Sequence, residues 1–154
     1  MKQCLVVGYG NILRGDDGIG PLVAEKLAVV PGSCGNTLRV VCLPQLDIAL
    51  APVLRDVDIA VFVDARQDPD DVPVKVERVQ VRNAPPANSR SSHDIGIAAL
   101  ANIVQSLYGR CPDCYLVMPK GIDFSIGAPI SRQGRMNAEH AVDVISRILF
   151  VGGH

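Results

Sequence analysis

The chain has 154 residues, of which 48% are hydrophobic, 20% charged and 4% aromatic, a profile that excludes a disordered or fibrous protein and fits one soluble globular domain spanning 1–154. Fifteen basic and sixteen acidic residues leave a formal charge of −1, too weak a field to gather nucleic acid or anionic lipid. No apolar run approaches the ~20 residues of a bilayer span, the apolar stretch before Gly8 is too short for a signal peptide, and five cysteines without a secretion signal point to a reducing cytoplasm.

Cys4-Leu5-Val6-Val7-Gly8 is a short apolar run closed by Gly-Tyr-Gly-Asn, which predicts a buried strand ending in a tight turn. Ile19, Leu22, Val23, Leu27 and Val30 then recur at helical spacing, with Pro21 in the first turn and Pro31-Gly32 as the stop. Thr37 to Leu43 is rich in β-branched residues between Gly35 and Pro44, the pattern of a second strand. A short helix over about 47–55 leads to the strand Ile59–Val63, which ends at Asp64. Strands alternating with helices imply a parallel sheet with helical crossovers.

Only a few polar residues separate Val63 from the strand-like stretch 72–81. That is too short for a helical crossover, so this strand is expected to run antiparallel at an edge. Residues 82–92 lack periodicity and read as a long exposed loop of the kind that carries function, with His93 at its end. Ile97, Leu100, Ala101, Val104 and Leu107 mark another helix, Tyr115 to Met118 a last strand, and Ala138, Ala141, Val142, Ile145 and Leu149 a C-terminal helix. The expected fold is an α/β three-layer sandwich: a mostly parallel, twisted five-stranded sheet flanked by helices.

The strand, glycine turn and helix at the N-terminus invite a dinucleotide reading, but the third glycine of G-x-G-x-x-G would fall at Leu13, and Asp16 and Asp17 oppose a phosphate at the helix start. Singly, Asp16 and Asp17 read as helix caps, Asp64 as a turn residue and His93 as a solvated side chain beside Ser91, Ser92 and Asp94. Taken together they say more. Parallel strands deliver their carboxyl-end loops to one edge of the sheet, where open α/β folds bind ligands. Asp17, Asp64 and His93 would converge there as two carboxylates and an imidazole, a donor set suited to Ni²⁺, Zn²⁺, Mn²⁺ or Fe²⁺, with positions left for substrate or water.

The run Gly8-Tyr9-Gly10-Asn11-Ile12-Leu13-Arg14-Gly15-Asp16-Asp17-Gly18-Ile19-Gly20 resembles the N-terminal signature of the hydrogenase maturation endopeptidases, which remove a C-terminal extension from the large subunit of nickel-iron hydrogenase. The resemblance continues through Gln45-Leu46, Val63-Asp64-Ala65, Ser92-His93-Asp94 and Gly127-Ala128-Pro129-Ile130-Ser131, in the family's order over nearly the whole chain. It implies that the family's metal-binding and catalytic positions fall on Asp17, Asp64 and His93. Aspartate at 17 replaces the family's frequent glutamate, shortening the reach by one methylene. Gly10, Asn11, Asp16 and Ser92 would contact the substrate. The implied cofactor is nickel that arrives already inserted in the large-subunit precursor, the implied partner, although other divalent ions could occupy the site of the isolated protein.

Two other readings use the same three residues: a metal-dependent chaperone that holds the subunit without cutting it, and a self-sufficient metallohydrolase of small peptides. Cys111-Pro112-Asp113-Cys114 is a lone C-x-x-C, which reads as a turn before a strand; half of a zinc site or a redox pair would need partners or context that the sequence does not clearly supply. Cys4 and Cys42, both in strands, are expected to be buried small hydrophobes. His140 and His154 are expected at the surface.

Overall fold

The computed structural model describes residues 2–29, 36–81 and 96–151. Five strands form one sheet: β1 (Gln3–Tyr9), β2 (Thr37–Leu43), β3 (Ile59–Val63), β4 (Val74–Val79) and β5 (Asp113–Pro119), in the order β2-β1-β3-β5-β4. β1, β2, β3 and β5 run parallel, and β4 pairs antiparallel with β5 at the edge, as the short connection from β3 requires. The predicted strands at 37–43 and 59–63 match the observed bounds.

Helices α1 (Ile19–Ala28) and α4 (Arg132–Ser146) lie against one face of the sheet, and α2 (Ala51–Arg55) and α3 (Ile97–Tyr108) against the other. The period of two along the central strands builds both cores. Cys4 and Val6 of β1 and Val61 of β3 meet Ile19, Val23, Ala141 and Ile145, whereas Leu5, Val7 and Phe62 meet Leu54, Leu100 and Val104. β1 and β3 therefore read as unbroken apolar runs, because both of their faces are covered. Each large side chain buried there contributes about 1.5–3 kcal/mol.

Several boundaries differ from the sequence expectation. The helix expected over 47–55 is a 3-10 turn, Ile48–Leu50, capped by the Asp47 carboxylate on the Ala49 amide (2.8 Å), and then α2; Pro52, with no amide hydrogen, fits only the first turn of a helix. α4 begins before its first expected apolar marker, at the Ser131 cap, and ends in a π turn, Arg147–Val151. Cys42 corrects an expectation: it is exposed, not buried. Among the described residues β2 is an edge strand with no sheet neighbour on its outer side, so alternate residues are only partly covered. Cys4, on the inner strand β1, is buried, and His140 is exposed. The loop expected at 82–92, with Cys34 and His154, lies outside the described residues.

Candidate functional site

The carboxyl ends of the four parallel strands share one edge. There the chain leaves β1 to one side for β2 and returns on the other for β3, the topological switch at which open α/β sheets form clefts. A cleft of about 460 Å³ opens at this edge. Its lining comes from the segment after β1 (Gly10, Arg14, Asp17), after β2 (Pro44, Gln45), after β3 (Asp64, Gln67) and after β5 (Phe124).

Glycine permits this geometry at two points. A Cβ on Gly20, in the first turn of α1, would lie 2.6 Å from both Tyr9 O and Val63 O, so only glycine lets the helix start seat on the ends of β1 and β3. Gly10, at φ 151°, turns the chain where a Cβ would overlap the carbonyl oxygen of Asp17. The turn is closed by three local bonds. The Asn11 amide donates to Asp17 Oδ2 (2.7 Å), the Leu13 amide to Asn11 Oδ1 (2.9 Å), and the Arg14 amide to Asn11 O (3.1 Å). Asp17 is thus a half-buried carboxylate held at the wall of the cleft by a charge-assisted bond.

Asp16 goes the other way. A 3-10 turn, Gly15–Gly18, carries both aspartates, and neighbouring residues on so tight a spiral point about 120° apart. Asp16 is 0% exposed. Its Oδ2 accepts from the Ile122 amide (2.8 Å), the Asp123 amide (3.2 Å) and Ser131 Oγ (2.7 Å), and its Oδ1 from the Ser131 amide (2.7 Å). Burial pushes this carboxyl upward, but those hydrogen bonds outweigh it and hold the group below the usual carboxylate range. Asp16 therefore ties the loop after β1 to the segment before α4 and presents no surface to a substrate. Asn11 remains exposed beside the cleft, with its side-chain oxygen committed to Leu13.

Asp64 follows β3 directly. Its amide donates to Val117 O (3.1 Å), Arg66 N donates to Pro119 O (2.8 Å), and Gly121 N to Arg66 O (2.9 Å), so parallel pairing extends past the strand ends and gives Asp64 a rigid mount. The Arg66 guanidinium is nearly buried. It bonds Asp68 Oδ2 and Met118 O (2.8 Å each) and Val72 O, while Lys120 Nζ takes the carbonyls of Asp68 (2.7 Å) and Asp70. These two cations gather the loop between β3 and β4, whose Gln67 lines the cleft.

Asp17 and Asp64 thus line one cleft. His93 and Ser92 lie outside the described residues, and among the described residues no group of three His, Cys, Asp or Glu converges to hold a metal. Two carboxylates supply hard oxygen donors; with an imidazole the set would fit a first-row transition ion. Arg14, Gln67 and Phe124 complete the lining without having been singled out as site residues. Phe124 carried one available signal, an aromatic side chain between Gly121 and Gly127 in a chain with only three phenylalanines. The loops on this side expose large apolar residues at the surface: Ile12 (71%) and Leu13 from one, Ile122 and Ile126 (82%) from the other. The Gly127 amide donates to Leu13 O (2.7 Å) and joins the two loops.

No family model and no curated protein matches the chain. Solved structures do match. The hydrogenase maturating endopeptidase HybD from Escherichia coli aligns with a TM-score of 0.75 at 21% identity, covering 98% of this chain and 94% of that one. The nickel-iron hydrogenase maturation protease HycI from Thermococcus kodakarensis aligns at 0.71 and 22% identity, covering 96% and 92%. The hydrogenase 2 maturation peptidase from the Thaumarchaeota archaeon SCGC_AB-539-E09 aligns at 0.67 and 22%, covering 96% and 98%. The five-stranded α/β sandwich described above is the fold of these proteases.

Proposed function

We propose that this chain is a hydrogenase maturation protease, an endopeptidase that removes the C-terminal extension of the nickel-loaded large-subunit precursor of a nickel-iron hydrogenase. One observation carries the reading: Asp17 and Asp64, on loops after different strands, line the same cleft of a fold shared with such proteases. The N-terminal glycine-aspartate motif supports it from sequence.

In this reading the nickel belongs to the substrate. Asp17, Asp64 and His93 add their oxygens and a ring nitrogen to its coordination, and the scissile peptide is thereby oriented in the cleft. A water molecule held at a carboxylate attacks the peptide carbonyl, the carboxylate accepts its proton, and the leaving amine is protonated as the C–N bond breaks. The exposed apolar side chains around Leu13 and Ile126 meet the precursor's surface. No helix among the described residues is long and apolar enough to cross a membrane, in keeping with a substrate met in the aqueous phase.

Incubation with nickel-loaded precursor tests this directly. Wild-type protein should yield a shortened large subunit and a free peptide. Asp17→Asn, Asp64→Asn and His93→Ala should each slow cleavage by roughly 10²–10⁴-fold with the thermal midpoint unchanged. Binding without cleavage by the wild type would favour a holding role, and an Asp17→Asn variant cutting at the wild-type rate would remove Asp17 from the chemistry.

A further inference from the structure

The proposed hydrolysis leaves the Cys111-Pro112-Asp113-Cys114 segment unused. α3 ends at Gly109 in the left-handed conformation (φ 72°), and the chain turns through Cys111 into β5. This turn lies at the amino end of β5, across the sheet from the cleft.

The two thiols sit in different environments. Cys111 is half-buried at the surface, while Cys114 is buried against the α2 and α3 side of the sheet. The two side chains, three positions apart, interact with each other, and Cys114 Sγ donates to Pro112 O (3.4 Å), the carbonyl that follows Cys111. Next to Cys111, the Arg110 guanidinium is pinned by the carbonyls of Arg55 and Val57 (3.2 Å to the latter). One thiol thus belongs to a half-buried residue next to a fixed cation, and the other to a buried residue three positions on.

We propose that Cys111 and Cys114 are a redox-active dithiol that closes to an intramolecular disulfide by exchange with a low-molecular-weight disulfide of the glutathione class. The Cys111 thiolate attacks one sulfur of that disulfide, forms a mixed disulfide and expels one thiolate. The Cys114 thiol gives its proton to the expelled thiolate and attacks Cys111 Sγ, expelling the second. The protein pair loses two electrons and two protons, and the small disulfide is reduced to two thiols. The electrostatics favour this order of attack. The Cys114 hydrogen bond, helped by Arg110, holds the Cys111 thiol below its usual value, whereas that same bond and burial push Cys114 well up.

The test uses the full chain with oxidised glutathione at neutral pH, alkylation of the remaining thiols, and mass analysis of unreduced tryptic peptides. Free thiols should fall from five to three, and the fragment 111–120 should be two hydrogens lighter. Cys114→Ala should trap one glutathione on Cys111, and Cys111→Ser should block reaction at this turn. Before oxidation Cys111 should alkylate ~10-fold faster than the exposed Cys42, whose thiol is raised by burial of its sulfur and by Glu25. Five thiols remaining, or oxidation only at Cys34 or Cys42, would overturn the proposal. None of these readouts depends on proteolytic activity, so they stand apart from the test of the cleft.

Discussion

Ser131 Oγ donates to Asp16 Oδ2 at 2.7 Å across 115 positions of the chain, and the same hydroxyl accepts the Gly134 amide at 2.9 Å. Two jobs meet in one side chain: capping the last helix and anchoring the loop that carries Asp17. Gly134 makes room for the pair, since a Cβ there would stand 2.6 Å from Asp16 Oδ1.

Removing the carboxylate should therefore be costly. Asp16→Ala leaves the amides of Ile122, Asp123 and Ser131 without their acceptor in a buried place, and the expected destabilisation is about 3 kcal/mol. Asp16→Asn keeps one oxygen and should lose roughly half as much. Urea unfolding of both variants measures this; an alanine variant within 0.5 kcal/mol of wild type, about the effect of an ordinary surface substitution, would refute the anchoring role.

The acid dependence follows from the same residue. Because folding lowers the Asp16 carboxyl, the charged form is the one stabilised. Its contribution is fully present above the unfolded-state value of about 3.9 and fades as pH falls through the lower folded-state value. The wild-type advantage over Asp16→Asn should hold steady from about pH 5 to 8 and shrink below about pH 4. An advantage that persists undiminished at pH 2 contradicts this.

Gly10→Ala should damage the cleft from its backbone. The alanine needs φ near 151° and meets the Asp17 carbonyl, so the turn must open at a cost of about 1–3 kcal/mol. Cleavage of the precursor should fall along with stability. A variant retaining the wild-type rate and midpoint would show that this turn tolerates a side chain.

Ile126→Asp places a charge on the most exposed apolar side chain beside the cleft. If that rim meets the precursor, KM should rise ~10-fold with kcat and the thermal midpoint unchanged. An unaltered KM would move the docking surface elsewhere.

Much of the sheet was legible because its central strands are covered on both faces. Ile59–Val63 is five apolar residues ended by an aspartate, and it needs no tertiary information to be read as a buried strand. The start of α4 was not legible. Its first turns, Arg132-Gln133-Gly134-Arg135, are polar, and the residues they bury are Gly134 and Asn137; Asn137 is accommodated by hydrogen bonds to Lys120 O (2.9 Å) and from Gln133 Nε2 (3.0 Å). For the site, spacing along the chain was enough to place Asp17 and Asp64 on one edge. It could not separate Asp16 from Asp17, since the donors that bury Asp16 are more than a hundred positions away.

That separation has a bearing on biosynthesis. The loop after β1 leaves the ribosome early, but the groups that lock it, at Ile122, Asp123 and Ser131, emerge only after all five strands and three of the four α-helices have been translated. A nascent polypeptide accordingly lacks a set cleft until the segment 122–131 has cleared the exit tunnel, so the wall that carries Asp17 is fixed only late in synthesis.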